Sequence, residues 1–106
     1  MIVINTPIFD RQLKRLAKRH HSILKDMAAK VEDLLENPYE GDSLGNNCYK
    51  VRLAITSKGK GKSGGARVIT CVQIQNDVLY LLSIYDKTDK DDLADGELSN
   101  LLKQII

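Results

Sequence analysis

Three β-type runs follow one another between Tyr49 and Tyr85 with no helical stretch between them. In the first, Tyr49, Val51, Leu53 and Ile55 alternate with Lys50, Arg52, Ala54 and Thr56. Period two sorts these side chains onto one apolar face and one face that starts cationic. Ala66 to Ile74 forms the second run and Val78 to Tyr85 the third, with Gln75-Asn76-Asp77 as a tight turn between them. Neighbouring strands joined this closely run antiparallel, because a parallel pair needs a long crossover. The expectation is a meander.

The residues around the meander must cover it. Ile2 to Ile4 is a short β-branched run and predicts a first strand. Thr6-Pro7 reads as an N-cap followed by proline at the first helical position. Phe9, Leu13, Leu16 and Ala17 then recur at helical spacing, with Arg11, Lys14, Arg15, Lys18 and Arg19 on the polar side. His20-His21 marks a break, and Ser22 caps a second helix bearing Leu24, Met27, Ala28, Val31, Leu34 and Leu35. Asn37-Pro38 ends it. So short a connection predicts an antiparallel helix hairpin. Tyr39 to Asn47 reads as a polar loop. Thr88 with Asp91 resembles a capping box, and Leu98, Leu101, Leu102 and Ile105 predict a terminal helix with one apolar stripe. The fold class is α+β: an antiparallel-meander sheet with an N-terminal helix hairpin on one face and a C-terminal helix. The 106 residues suffice for one domain, 1–106, and are too few for two.

Several functional classes are disfavoured. No apolar run approaches membrane-spanning length. The opening residues, MIVINTP, lack the basic and apolar regions of a secretory signal, so a cytoplasmic protein is expected. Cys48 and Cys71 lie in or beside apolar runs and read as buried thiols, although one disulfide is compatible with them. No Cys or His spacing suits a metal. Asp86, Asp89, Asp91, Asp92 and Asp95 lack the glycine and glutamate of a calcium loop and read as an acidic helix start. No metal or cofactor is therefore expected. His20 and His21 are the only imidazoles, and adjacent positions on a helix do not point together.

The net charge is only +2, but it is unevenly placed. Between 50 and 67 stand Lys50, Arg52, Lys58, Lys60, Lys62 and Arg67, without one Asp or Glu. Glycines at 59, 61, 64 and 65 make this a pliable cationic segment, suited to phosphate. Gly61-Lys62-Ser63 is not a nucleotide-binding phosphate loop. Thr56 stands where that motif needs its first glycine, and a strand follows where it needs a helix. Arg67 sits where the loop becomes a strand, and its guanidinium can hold phosphate with two parallel hydrogen bonds. A structural alternative pairs it with an acid such as Asp86. If Leu82 and Ile84 point into the core, Tyr85 and Lys87 point away from it together. A cationic, aromatic-bearing sheet face results. There Tyr85 can stack on a base or transfer a proton, and Lys87 among other cations has its pKa lowered. The alternatives are a half-buried Tyr85 and a solvated Lys87.

In combination, Tyr49-Lys50-Val51-Arg52-Leu53, then Gly59 to Ile69 (GKGKSGGARVI), then Leu81 to Lys87 (LLSIYDK) with Asp92-Leu93 resemble the RelE/ParE toxin superfamily, in particular its HigB-like branch of type II toxin–antitoxin modules. The pattern covers about half the chain, and the element order agrees with that fold over nearly all of it. The resemblance implies a bacterial toxin that cleaves messenger RNA in the ribosomal decoding site without a metal or other cofactor. The ribose 2′-hydroxyl attacks the adjacent phosphate, leaving a 2′,3′-cyclic phosphate and a free 5′-hydroxyl.

By the same resemblance, the site residues are Arg67, Tyr85, Lys87 and Lys50 for catalysis, and Arg52, Lys58, Lys60 and Lys62 for RNA and phosphate. Lys50 and Arg52 hold the RNA backbone, Arg67 stabilises the developing phosphorane, and Tyr85 and Lys87 stack or move protons. Lys58 to Lys62 meet RNA, ribosomal (16S rRNA) as well as messenger. The implied partners are a cognate antitoxin, mRNA and the ribosome, and no membrane. Two alternatives share the fold: a non-enzymatic gyrase inhibitor, and a degenerate member that only binds nucleic acid or its antitoxin.

Overall fold

The computed structural model describes residues 1–59, 61 and 64–105. Its centre is a five-stranded sheet of order β1-β5-β4-β3-β2. The strands are β1 (Ile2–Asn5), β2 (Asp42–Gly45), β3 (Cys48–Leu53), β4 (Ala66–Gln73) and β5 (Val78–Asp86). β3, β4 and β5 form the expected antiparallel meander. β1 lies parallel to β5 at one edge, so the sheet is mixed. The helices are α1 (Pro7–Ala17), α2 (Ile23–Glu36) and a short α3 (Glu97–Leu102). Among the described residues, no helix is long and apolar enough to cross a membrane.

Tyr39 to Asn47 is not all loop, because β2 pairs with β3 there. Asn46 and Asn47 both have positive φ, 54° and 59°. This is the left-handed pair that closes a two-residue hairpin in step with the strand twist. The carboxamides make that conformation tolerable, so the signal was present in Asn-Asn itself.

Helices α1 and α2 cover one sheet face. Phe9, Leu16, Ile23, Met27 and Leu34 pack with Val51, Leu53, Ile55, Val68, Leu79, Leu81 and Ile84. Each such buried side chain contributes about 1.5–3 kcal/mol. Thr6 and Pro7 occupy the expected helix-start positions, but the Thr6 hydroxyl donates to the Leu81 carbonyl at 2.8 Å instead of capping.

A bulge in β5 changes the predicted parity. Ile69 pairs with Ser83 and Thr70 with Leu81, which leaves Leu82 as an extra residue. Leu79 and Leu81 face the helix hairpin, and so does Ile84 three residues on, whereas Leu82 and Tyr85 belong to the opposite face. The expectation that Leu82 and Ile84 share a face is therefore corrected. A bulge reverses the alternation locally. Gln12 of α1 steadies it, accepting from the Ile84 amide at 2.8 Å and the Ser83 hydroxyl at 2.9 Å.

The second face is not left open. Leu101 packs on Cys48, Ile69, Cys71, Leu82 and Tyr85, joined by Leu93, Leu98, Leu102 and Ile105. No helix starts at Thr88, because α3 begins only at Glu97. The Thr88 amide and hydroxyl donate instead to Asp86 Oδ1, at 2.9 and 2.7 Å. The expected acidic helix start is thus a strap of turns over the sheet. Both cysteines are free and buried, as expected, and they face each other across β3 and β4. Burial and the neighbouring Cys71 push the Cys48 thiol up to about 12.

Candidate active site

The second sheet face changes character along its length. Near Cys48 and Cys71 it is apolar, and toward the far ends of β3 and β4 it is cationic. Arg52 pairs in register with Arg67, and Arg67 with Tyr85. In the adjacent row Asp42 pairs with Lys50, and Lys50 with Ile69. Cross-strand partners share a face, so the ladder itself groups Lys50, Arg52 and Arg67. Lys87 joins them just beyond β5, its amide held by the Gly65 carbonyl at 3.0 Å. A cleft of about 120 Å³ is lined by Asp42, Lys50, Arg52, Arg67, Lys87 and Asp91. A shallower hollow of about 380 Å³ continues it past Glu40 and Gly41.

These side chains differ in freedom. Arg67 is 4% exposed, and its Nη1 donates to the Ala66 carbonyl at 3.0 Å. Arg52 is exposed. Lys50 reaches Asp92 on the strap, Nζ to Oδ1 3.3 Å. Asp92 is held below the ordinary carboxylate value by the Leu93 amide and then by Lys50.

Tyr85 is buried, 6% exposed, beneath the strap, with Lys90 Nζ 5.0 Å from its ring centroid. The expected open aromatic platform is therefore corrected: Leu101 and its neighbours occupy the space a base would need. Among the described residues, the Tyr85 hydroxyl has no hydrogen-bond partner. Burial, with Asp92 next, raises its pKa to about 12. At neutral pH it is a proton donor only.

Lys58 does not stand free on a loop. A short 3₁₀ turn, Thr56–Lys58, places its ammonium 2.9 Å from Asp86 Oδ1, and the side chain is 12% exposed. Asp26 and Ser22 of the α2 start hold that turn through the Thr56 and Ser57 amides, both at 2.9 Å. Asp86 also accepts from Thr88, meets His20 Nε2 at 2.8 Å and lies 3.5 Å from Arg19. Burial raises the Asp86 pKa, but Lys58, Thr88 and His20 outweigh it and leave the group well below the usual carboxylate range. Only Thr88 is a local partner of Asp86; Lys58 and His20 lie 28 and 66 residues away, so no local sequence signal announces the ion cluster. Lys60 and Lys62 lie outside the described residues.

Four of the predicted residues, Lys50, Arg52, Arg67 and Lys87, thus line one cleft. Tyr85 lies in the same face beneath the strap, and Lys58 is drawn into a separate ion cluster. The cleft can hold a phosphodiester among these cations, with the Asp42 and Asp91 carboxylates at its wall.

A family model described as the RelE toxin of the RelE/RelB toxin–antitoxin system matches residues 6–105. Among solved structures, a double arginine-to-alanine mutant of the E. coli toxin RelE in the free state is similar at TM-score 0.64 and 20% identity. The match covers 99% of this chain and 97% of that one. The same mutant in complex with an antitoxin RelB peptide is similar at TM-score 0.58, with the same identity and coverage. At this identity the structural likeness speaks for the fold.

Proposed function

The chain belongs to the family of RelE toxins of RelE/RelB toxin–antitoxin systems, and from that premise we propose that it is a cytoplasmic endoribonuclease that cuts messenger RNA on the ribosome and so arrests translation. A cognate antitoxin restrains it. The observation that carries this reading is the convergence of Lys50, Arg52, Arg67 and Lys87 on one small cleft.

The chemistry asks little beyond charge and two proton movements. The 2′-oxygen attacks the adjacent phosphorus, and its proton passes to a carboxylate of the cleft, Asp42 or Asp91. The bond to the 5′-oxygen breaks, and that oxygen takes a proton from Lys87. The products are a 2′,3′-cyclic phosphate and a free 5′-hydroxyl. Arg67 faces the negative charge that grows on the phosphoryl oxygens, where a fixed donor contributes most. Lys50 and Arg52 hold the flanking backbone. The Tyr85 phenol joins only if the strap lifts, and then as a donor. Antitoxin binding is read across from the relative that forms such a complex. An acidic antitoxin segment fits the cationic cleft by charge.

The test is primer-extension mapping of messenger ends in cells after brief induction of this chain, beside Arg67→Ala. New cuts that need translation and vanish in the variant support the ribonuclease. Growth arrest with intact messages overturns it and moves gyrase inhibition to the front.

A further inference from the structure

We propose that the exposed face of α1 is a second RNA-binding surface, distinct from the cleft, which takes the phosphate backbone of a folded, double-helical RNA. Arg11, Lys14, Arg15 and Lys18 are all exposed. Their spacing of three, four and seven residues places them on one side of the helix. They span about 10 Å along its axis.

Arg19, Lys30, Lys50, Lys58 and Lys90 each meet a carboxylate. Among the described residues, none of Arg11, Lys14, Arg15 and Lys18 makes an ion pair. Lys25, Arg52, Lys87 and Lys103 also make no ion pair among the described residues, but they are scattered and do not share one helix face. Like charges at these spacings weaken a helix. The helix dipole favours Arg15 and Lys18 near the C-terminal end, but it gives Arg11 nothing. Most of α1 packs on the sheet face opposite the cleft, and only Arg15 of the four borders a groove shared with Tyr85, Asp89 and Lys90; none of the four lines the cleft itself.

The chemistry of the face selects its ligand. Pro7, Asp10, Arg11, Lys14 and Arg15 are the exposed positions of α1, Lys18 is exposed at its C-cap, and none is aromatic. Single-stranded RNA is held by base stacking as well as charge, and this face has no ring to stack on. An acidic protein segment would need aromatic or aliphatic anchors at its centre, and α1 presents none. A duplex is read by its shape and phosphates, which cations alone can meet.

The test compares the unaltered chain with a variant carrying Arg11→Gln, Lys14→Gln, Arg15→Gln and Lys18→Gln. Binding to a labelled, fully paired RNA hairpin and to purified ribosomes is measured across a salt series, with circular dichroism as the check of folding. Four lost phosphate contacts lower the slope of log affinity against log salt by about 3 to 4. If four changes cost the fold, Arg11→Gln with Lys14→Gln alone lowers it by about 2. An unchanged slope, or lost binding to an acidic peptide in place of RNA, overturns the proposal. The measurement needs no cleavage, so it stays readable if the nuclease reading fails, and Arg67→Ala in the cleft leaves the α1 contribution to the slope intact.

Discussion

The ammonium of Lys58 lies 2.9 Å from Oδ1 of Asp86, whose side chain is fully buried. This pair closes the base of the basic loop on one side. On the other side, the Lys87 amide closes it through the Gly65 carbonyl. A lysine engaged this way anchors the Thr56–Lys58 turn and has little charge to offer RNA. Lys58→Met is therefore expected to lower stability by about 2 kcal/mol, the scale of a hydrogen bond to a charged group. It should leave the salt dependence of RNA binding unchanged, whereas Arg52→Gln lowers that slope by about 1. Denaturant unfolding and a salt titration on the same samples decide it. A slope lowered by Lys58→Met would return this residue to the RNA contacts.

Acid should loosen the same cluster. The native Asp86 pKa lies below its ordinary 3.8, although burial alone pushes it the other way. The unfolded chain therefore binds this proton at higher pH than the folded one. The stabilisation is fully present above about pH 4 and is lost as pH falls through the folded pKa. Lys58, His20, Arg19 and Thr88 are the groups that face the carboxylate. Asp86→Asn should cost about 3 kcal/mol near pH 7, because it leaves the largely enclosed Lys58 ammonium without its counter-charge. It should also flatten the decline in stability below pH 4. A denaturation series from pH 2 to pH 7 reads both effects.

How far residues could be read in the chain depended on the range of their contacts. Val51, Leu53 and Ile55 declared an apolar face by alternation alone, and the meander followed. Lys50, Arg52 and Arg67 came together because alternation and antiparallel pairing are local rules. Lys58 failed the same treatment, because its acceptor comes from the far end of β5. The Leu82 bulge also escaped notice. It depends on Gln12 and Thr6, which sit on another element and supply the hydrogen bonds an irregular strand lacks. Thr88 and Asp91 fit a helix-start pattern, yet Asp86 captures Thr88 before any helix can form.

Tyr85 sets the demands of folding against those of chemistry. Its hydroxyl is buried with no partner among the described residues, which costs a protein about 1–3 kcal/mol. Tyr85→Phe should accordingly hold or raise stability, by up to about 1 kcal/mol. If the strap lifts over bound RNA and the phenol donates to the reaction, cleavage should fall by on the order of 100-fold. Melting temperature and single-turnover cleavage on programmed ribosomes separate the two effects. Full activity in Tyr85→Phe would remove the hydroxyl from the mechanism and leave the ring as packing.

The strap is held to the cleft by Lys50 and Asp92, 3.3 Å apart with Asp92 largely exposed. An exposed pair of this kind is worth about 0–1 kcal/mol, so Asp92→Asn should hardly change the melting temperature. It should release Lys50 toward phosphate. RNA affinity at low salt is expected to rise several-fold, with a salt slope steeper by about 1. Unchanged affinity would mean that RNA displaces Asp92 at no cost, or that Lys50 never meets it.

Arg67 offers the sharpest test of the cleft, because charge and geometry can be separated there. It is almost fully buried at the start of β4, between Arg52 and Tyr85 in the ladder. Arg67→Lys keeps the positive charge but loses the planar fork that grips two phosphoryl oxygens at once. If Arg67 only attracts RNA, the lysine variant should bind and cut almost normally. If it stabilises the transition state, binding should persist while the cleavage step slows by about 100-fold or more, the scale set by removing one fixed donor from developing oxyanion charge. The two effects separate in single-turnover cleavage on saturated ribosomes, where affinity no longer limits the rate. A rate unchanged at saturation would transfer the catalytic burden to Lys87 and Lys50, the other cations of the same wall.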